Sequence, residues 1–82
     1  MEKIEQRIRA IAHQMSGISE AQIHRESRLK EDLGLDSLDV MELVVELETR
    51  FTITIPDDDA LEFKKIQDVN QYVARTYTSE LN

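Results

Sequence analysis

The sequence predicts an all-α fold: a small up-down helical bundle of three main helices plus one short helix. Two observations carry this. Apolar residues recur at helical spacing in three separate stretches, near residues 4–15, 40–51 and 66–73. The β-branched run "TITIPDD" is cut off by Pro56, which makes it a linker. The 82 residues suit one domain, 1–82, with no repeat and no internal boundary. A chain this short buries roughly 60% of its surface on folding, so one modest core is expected and no deep catalytic chamber.

The first helix rests on Ile4, Ile8, Ile11 and Met15, with Ala12 on the same face, and Gly17 is placed to end it. Ser19 followed by Gln22 reads as a capping box for a short helical turn. Ile18, Ile23, Leu29 and Leu33 punctuate a long polar connection and should anchor it to the core; loops of this length are often functional. The second helix should run from about Ser37 to Phe51. Asp36 is its N-cap, and Asp39 at the third helical position adds a second carboxylate near the positive end. Asp57 or Asp58 should cap a short helix through Leu61. Ile66, Val69 and Val73, with Tyr72 beside them, define the last helix, and "TSELN" reads as a frayed tail.

Composition narrows the function. The net charge of −7 argues against nucleic-acid phosphates and favours basic protein surfaces as partners. There is no cysteine, so disulfides, thiolate zinc sites and cysteine nucleophiles are excluded. Any thiol chemistry must come from something added to the chain. No apolar run approaches the ~20 residues of a membrane span. The charged N-terminus lacks a signal-peptide core, which makes the cytoplasm the expected compartment.

The second helix carries two apolar stripes. On a helical wheel, Leu43, Val44, Leu47 and Phe51 fall within roughly 60° of Val40 and form a full core face. Leu38, Met41 and Val45 centre near roughly 130°, a separate stripe. Asp39, Glu42 and Glu46 lie beyond that stripe, and Glu48 lies between the two. Packing of both stripes into a core is the ordinary outcome in a larger protein. Here an apolar stripe rimmed by charge points to a docking surface. The like charges at i, i+3 and i, i+4 support this, because they cost helix stability that Glu46 with Arg50 offsets only in part.

Ser37 stands at the mouth of this helix. As a cap it is redundant beside Asp36. As a hydrolytic nucleophile it lacks a G-x-S-x-G elbow, and only His13 and His24 could serve as base; both read as surface residues. As an attachment point it is sensible, since a phosphate ester would meet free N–H groups at a helix N-terminus, although Asp36 and Asp39 oppose an anion there.

"EDLGLDSLDVMELVVELETRF", followed by "IPDDDA", closely resembles the acyl carrier proteins, over nearly the whole chain including the final "IQDVNQYV". The family's D-S-L motif falls on Asp36, Ser37 and Leu38. The resemblance implies an acyl-carrier-protein-like fold and 4′-phosphopantetheine on Ser37, transferred from coenzyme A by a holo-synthase (phosphopantetheinyl transferase) with Mg²⁺. Acyl groups would ride on the thiol of that arm as thioesters. The second helix would dock acyl-transfer and chain-elongating enzymes through Leu38, Met41 and Val45, with Asp36, Asp39, Glu42 and Glu48 among the acidic contacts. Val44 and Leu47 would line a space for the acyl chain. The chain is then a monomeric carrier and not an enzyme, with no metal site of its own. "DDD" at 57–59 lacks the spacing and glycine of a calcium loop.

Some positions depart from the family pattern. Leu35 replaces a frequent alanine, and Glu46 adds charge. Lys64 and Lys65 stand where threonines often cap the last helix, so that helix looks weakly capped and its approach is basic. These departures leave the carrier role untouched; beside the housekeeping fatty-acid carrier stands a dedicated carrier for a specialised lipid, polyketide or aryl-polyene pathway. Two alternatives stand beside this one: a discrete aminoacyl or peptidyl carrier of nonribosomal synthesis, and an unmodified acidic scaffold subunit.

Overall fold

The computed structural model describes the backbone of residues 2–81 and the side chains of residues 3–77. Its helices are α1 (Glu2–Ser16), α2 (Ser37–Phe51), α3 (Asp57–Ala60) and α4 (Ile66–Leu81), with a single 3₁₀ turn at Glu20–Gln22. Helices α1, α2 and α4 pack against one another pairwise. Ile4, Ile8, Ile11 and Ala12 of α1 meet Leu43, Val44, Leu47 and Phe51 of α2 and Ile66, Val69 and Val73 of α4 in one buried cluster. The connections contribute as well, with Ile23, Leu29, Leu33, Leu35, Ile53, Ile55 and Phe63 all buried. Each of the three long helices thus turns a single apolar face inward, as its periodicity requires.

The helix ends follow from local chemistry. Gly17, at φ 78°, closes α1 by donating its N–H to the His13 carbonyl at 2.8 Å. Asp36 caps α2 in a reciprocal box. Its carboxylate accepts the Asp39 N–H at 2.9 Å, and the Asp39 carboxylate accepts the Asp36 N–H at 3.1 Å. At the other end of α2, Thr52 takes the left-handed conformation, at φ 54°. The Arg7 guanidinium covers this terminus. It lies 4.1 Å from the centre of the Phe51 ring and donates to the Arg50 carbonyl at 2.8 Å.

Four expectations need correction. Ser19 caps the 3₁₀ turn, but its hydroxyl accepts the Ala21 N–H at 3.3 Å, and no box with Gln22 forms. The Gln22 N–H that a box would give to the Ser19 hydroxyl instead donates to the Ser19 carbonyl at 2.9 Å, the tight bonding of a 3₁₀ turn. Pro56 is the N-cap of α3 with no side-chain bond, so Asp57 is the first helical residue and neither Asp57 nor Asp58 caps it. Helix α4 is capped from inside, not left weakly capped: the Asp68 carboxylate accepts the N–H groups of Lys64 and Lys65, both at 3.0 Å. Helix α4 also continues through Leu81 into the segment expected to fray. The side chains of residues 78–81, and Asn82 altogether, lie outside the described residues.

The long connection between α1 and α2 is more ordered than its polar sequence suggests. Around residues 29–35, Gly34 donates to the Lys30 carbonyl and Leu35 to the Leu29 carbonyl, each at 3.0 Å. The Gly34 bond is that of an αL closure, and it goes with the positive φ of Gly34, 70°. The closure delivers Leu35 into the core and Asp36 onto the start of α2. The connection is also clasped to the segment before α4. Leu29 N–H donates to the Lys64 carbonyl and Ile66 N–H to the Ser27 carbonyl, both at 2.9 Å, on either side of an antiparallel bridge between Arg28 and Lys65.

Candidate functional site

Ser37 is the first residue of α2 and is exposed. The box between Asp36 and Asp39 already satisfies the helix end, so nothing calls on the Ser37 hydroxyl as a cap. That hydroxyl has no hydrogen-bond partner among the described residues. The first main-chain bond of the helix runs from Val40 N–H to the Asp36 carbonyl at 2.9 Å, which leaves the Ser37 and Leu38 donors at an open helix end.

Beside Ser37 lies a cavity of about 480 Å³, a size suited to a small-molecule group. Its apolar wall comes from Leu29 of the clasped loop, Val40 and Met41 of α2, and Ala60, Leu61 and Phe63 around the end of α3. Arg28, Lys30, Glu31, Lys64 and Lys65 complete the lining. Phe63 is held in place by an edge-on contact with Tyr72, ring centres 5.5 Å apart. Tyr72 in turn donates its hydroxyl to the Asp59 carboxylate at 2.8 Å. Burial, reinforced by that carboxylate, pushes the Tyr72 hydroxyl pKa up, so the hydroxyl keeps its proton.

The predicted stripe on α2 is exposed. Leu38 is 68%, Met41 45% and Val45 57% accessible, on a helix whose Leu43 and Leu47 are at 1% and 0%. The three residues are not equivalent. Met41 borders the cavity beside Ser37, whereas Val45 borders a shallower groove shared with Ile11 and Met15 of α1. The stripe is therefore a crest between two depressions. Leu61, 70% exposed, adds an apolar residue across the cavity mouth that periodicity could not find, because α3 is too short to have a face.

The carboxylates divide. Glu42 is exposed, and Glu46 pairs with Arg50 at 3.0 Å. Glu48 is half-buried and accepts the Ile55 N–H at 2.8 Å, so it holds the linker after α2 as well as contributing charge. Val44 and Leu47 are core residues and do not line the cavity beside Ser37. The residues that do line it, apart from Met41 and Ser37 itself, lie mostly on irregular segments. Neither histidine approaches the site. The His13 ring bonds the Ile18 carbonyl at 2.8 Å, and His24 borders a different cavity, between α1 and α4. Ser37 therefore has no imidazole base.

Residues 6–73 match the family model described as a phosphopantetheine attachment site. Among solved structures, one similar chain is a protein assigned as an acyl carrier protein from Mycobacterium tuberculosis. It is 35% identical with a TM-score of 0.82, over 88% of this chain and 96% of that one. Another is an acyl carrier protein from Thermotoga maritima, 28% identical with a TM-score of 0.81, over 99% of this chain and 93% of that one. The chain belongs to the phosphopantetheine-dependent carrier proteins and, within them, to the acyl carrier proteins. Its cofactor is 4′-phosphopantetheine.

Proposed function

We propose that Ser37 is the attachment residue and that the chain, as a single carrier domain, presents acyl thioesters to successive enzymes of fatty acid or related specialised lipid or polyketide synthesis. One observation carries the reading. The Ser37 hydroxyl is exposed, has no hydrogen-bond partner among the described residues, and stands on the rim of a cavity with a largely apolar wall. The residues fit the group: a free hydroxyl to esterify, open N–H donors beside it and an apolar-walled cavity next to it for a chain. When attached, 4′-phosphopantetheine supplies the thiol that this cysteine-free chain lacks. Tethering makes each transfer effectively intramolecular.

The exposed crest of Leu38, Met41 and Val45, with Asp36, Asp39, Glu42 and Glu48 at its edges, suits enzymes with basic docking surfaces, the holo-synthase among them. Leu61 extends that surface across the cavity mouth. Leu29, Val40 and Phe63 are the residues an acyl chain would meet in the cavity; Val44 and Leu47 join its lining only if the core parts. The carrier works as a monomer in the cytoplasm.

The test is intact-mass analysis after incubation with coenzyme A, Mg²⁺ and a broad-specificity holo-synthase. One phosphopantetheine should be added to the native chain and none to Ser37→Ala, which stays folded because Asp36 still caps α2. A modified alanine variant would place the attachment elsewhere.

A further inference from the structure

The chain has four lysines, and three of them, Lys30, Lys64 and Lys65, line the cavity that holds Ser37. This concentration stands out in a chain of net charge −7. We propose that these lysines form a cationic rim that holds an anionic group at the cavity mouth: the phosphodiester next to Ser37, or a carboxylate on the cargo. The proposal rests on attachment at Ser37.

The fold builds this rim deliberately. The antiparallel bridge between Arg28 and Lys65, flanked by the Leu29 and Ile66 main-chain bonds, brings two segments more than 30 residues apart in sequence to the same edge of the cavity. The Asp68 carboxylate fixes the backbone of Lys64 and Lys65 through their N–H groups. The lysine ammonium groups themselves have no ion-pair partner among the described residues. The surrounding charges leave them in excess. Arg28 is matched by Asp32 at 3.0 Å, and Glu31 is the one carboxylate in the cavity lining. Asp36 and Asp39 accept each other's N–H groups at the start of α2, either side of Ser37, and would repel an anion on it. The lysines oppose that repulsion. Exposed charge contacts are weak singly. A tethered anion is held near them at high effective concentration, so weak contacts suffice.

Attachment and rim are tested separately. Intact mass and the ³¹P resonance first establish whether Ser37 carries the arm; an arm absent from Ser37 overturns both readings. Backbone and ammonium ¹⁵N spectra then compare four forms at low and high salt: apo, holo, holo alkylated on its thiol with iodoacetamide, and holo alkylated with iodoacetate. The last two differ in essentially one charge. If the rim holds the phosphodiester, the Lys30, Lys64 and Lys65 signals move from apo to holo and move back in high salt. If it holds a cargo carboxylate, they move between the amide-capped and acid-capped forms. In Lys64→Gln/Lys65→Gln these salt-sensitive shifts should be lost while amide dispersion elsewhere is kept. Lysine signals that stay still in both comparisons, with the arm shown on Ser37 by mass, overturn the rim alone.

Discussion

The two banks of the cavity beside Ser37 are built on opposite principles. One bank is α2, a regular helix with an apolar crest and an acidic flank. The other is irregular: the αL closure at Gly34 and, just before it, residues 27–29 clasped to residues 64–66, with an excess of basic side chains. Helix α2 satisfies its own backbone, so its outer surface is free to vary in chemistry without endangering the helix. The clasp satisfies its backbone only by pairing two distant segments, so its geometry depends on Leu29, Ser27 and Ile66 being in place. The helical bank suits recognition of partner proteins, and the clasped bank sets the shape and charge of the cavity.

The largest expected effect breaks the cores of the two banks. Leu29 and Leu43 are each 1% exposed, one on the clasp and one on α2. Replacing either with alanine should cost about 2–5 kcal/mol in chemical denaturation, because each leaves a cavity in a small core. Met41→Ala, on the crest, should cost about 1 kcal/mol or less while weakening transfer to partner enzymes. A cost for Met41→Ala equal to that for Leu43→Ala would make the crest part of the core.

Next come the caps. Asp36→Ala removes the acceptor for the Asp39 N–H at the start of α2, and Asp68→Ala removes the acceptor for Lys64 and Lys65 on the other bank. Each should lose about 0.5–2 kcal/mol. The loss for Asp68→Ala should be accompanied by faster hydrogen exchange at Leu29 and Ile66, since the clasp hangs on the same backbone. Exchange that stays unchanged there would uncouple the α4 cap from the clasp.

The legibility of the two banks differs for the same physical reason. Helix α2 repeats one bond pattern, so Val40, Leu43, Val44, Leu47 and Phe51 could be separated from Leu38, Met41 and Val45 by angle alone. The exposures agree with that division. The Asp36 cap was equally readable, because a cap is a local bond. The clasp is not local. Nothing in "RESRLKEDLG" names "FKKIQD" as its partner, so the pairing of Arg28 with Lys65 could not be foreseen. The family resemblance places Val44 and Leu47 around the acyl chain, whereas most of the lining of the cavity beside Ser37 comes from the irregular bank. The basic "FKK" was visible in the sequence, but its position opposite Ser37 was not. The cap of α4 is hard to read in the sequence because Asp68 acts backwards, from the third helical position, on the two residues before the helix.

A smaller effect separates the banks by acid titration. The Arg28 side chain, and then its backbone N–H, hold the Asp32 carboxyl down at about 2 from its ordinary 3.8. A carboxylate lowered in the folded state adds stability that is complete above its unfolded value. That stability is lost as pH falls towards the folded one. The Asp32 contribution to the irregular bank should therefore persist through mildly acidic solution and disappear as pH falls from about 4 to about 2. In Arg28→Ala the guanidinium is gone and the backbone donor remains, so the carboxyl should titrate higher than about 2 but still below 3.8. Carbon-detected titration of Asp32 in both proteins measures this; an unchanged midpoint would assign the lowering to the backbone bond alone.

The smallest effect tests whether the charge of the two banks acts on folding. Glu42 sits three residues after Asp39 and four before Glu46, where like charges repel. Neutralising it as Glu42→Gln takes one negative charge from a chain at −7. Neutralising Lys64 as Lys64→Gln instead removes one of the few positive charges. The first variant should melt slightly higher and the second slightly lower. Each change should be within about 0.5 kcal/mol, or about 2–4 °C for a domain of this size. Both shifts should shrink in 1 M salt, where screening shortens the reach of exposed charges to about 3 Å. The signs matter more than the sizes. Opposite signs that collapse together in salt mean that the acidic bank strains the fold and the basic bank relieves it. Two shifts of the same sign, or shifts that survive screening, mean that local packing governs these positions. The acidic face of α2 would then be explained by what docks on it and by nothing in the folding of the chain itself.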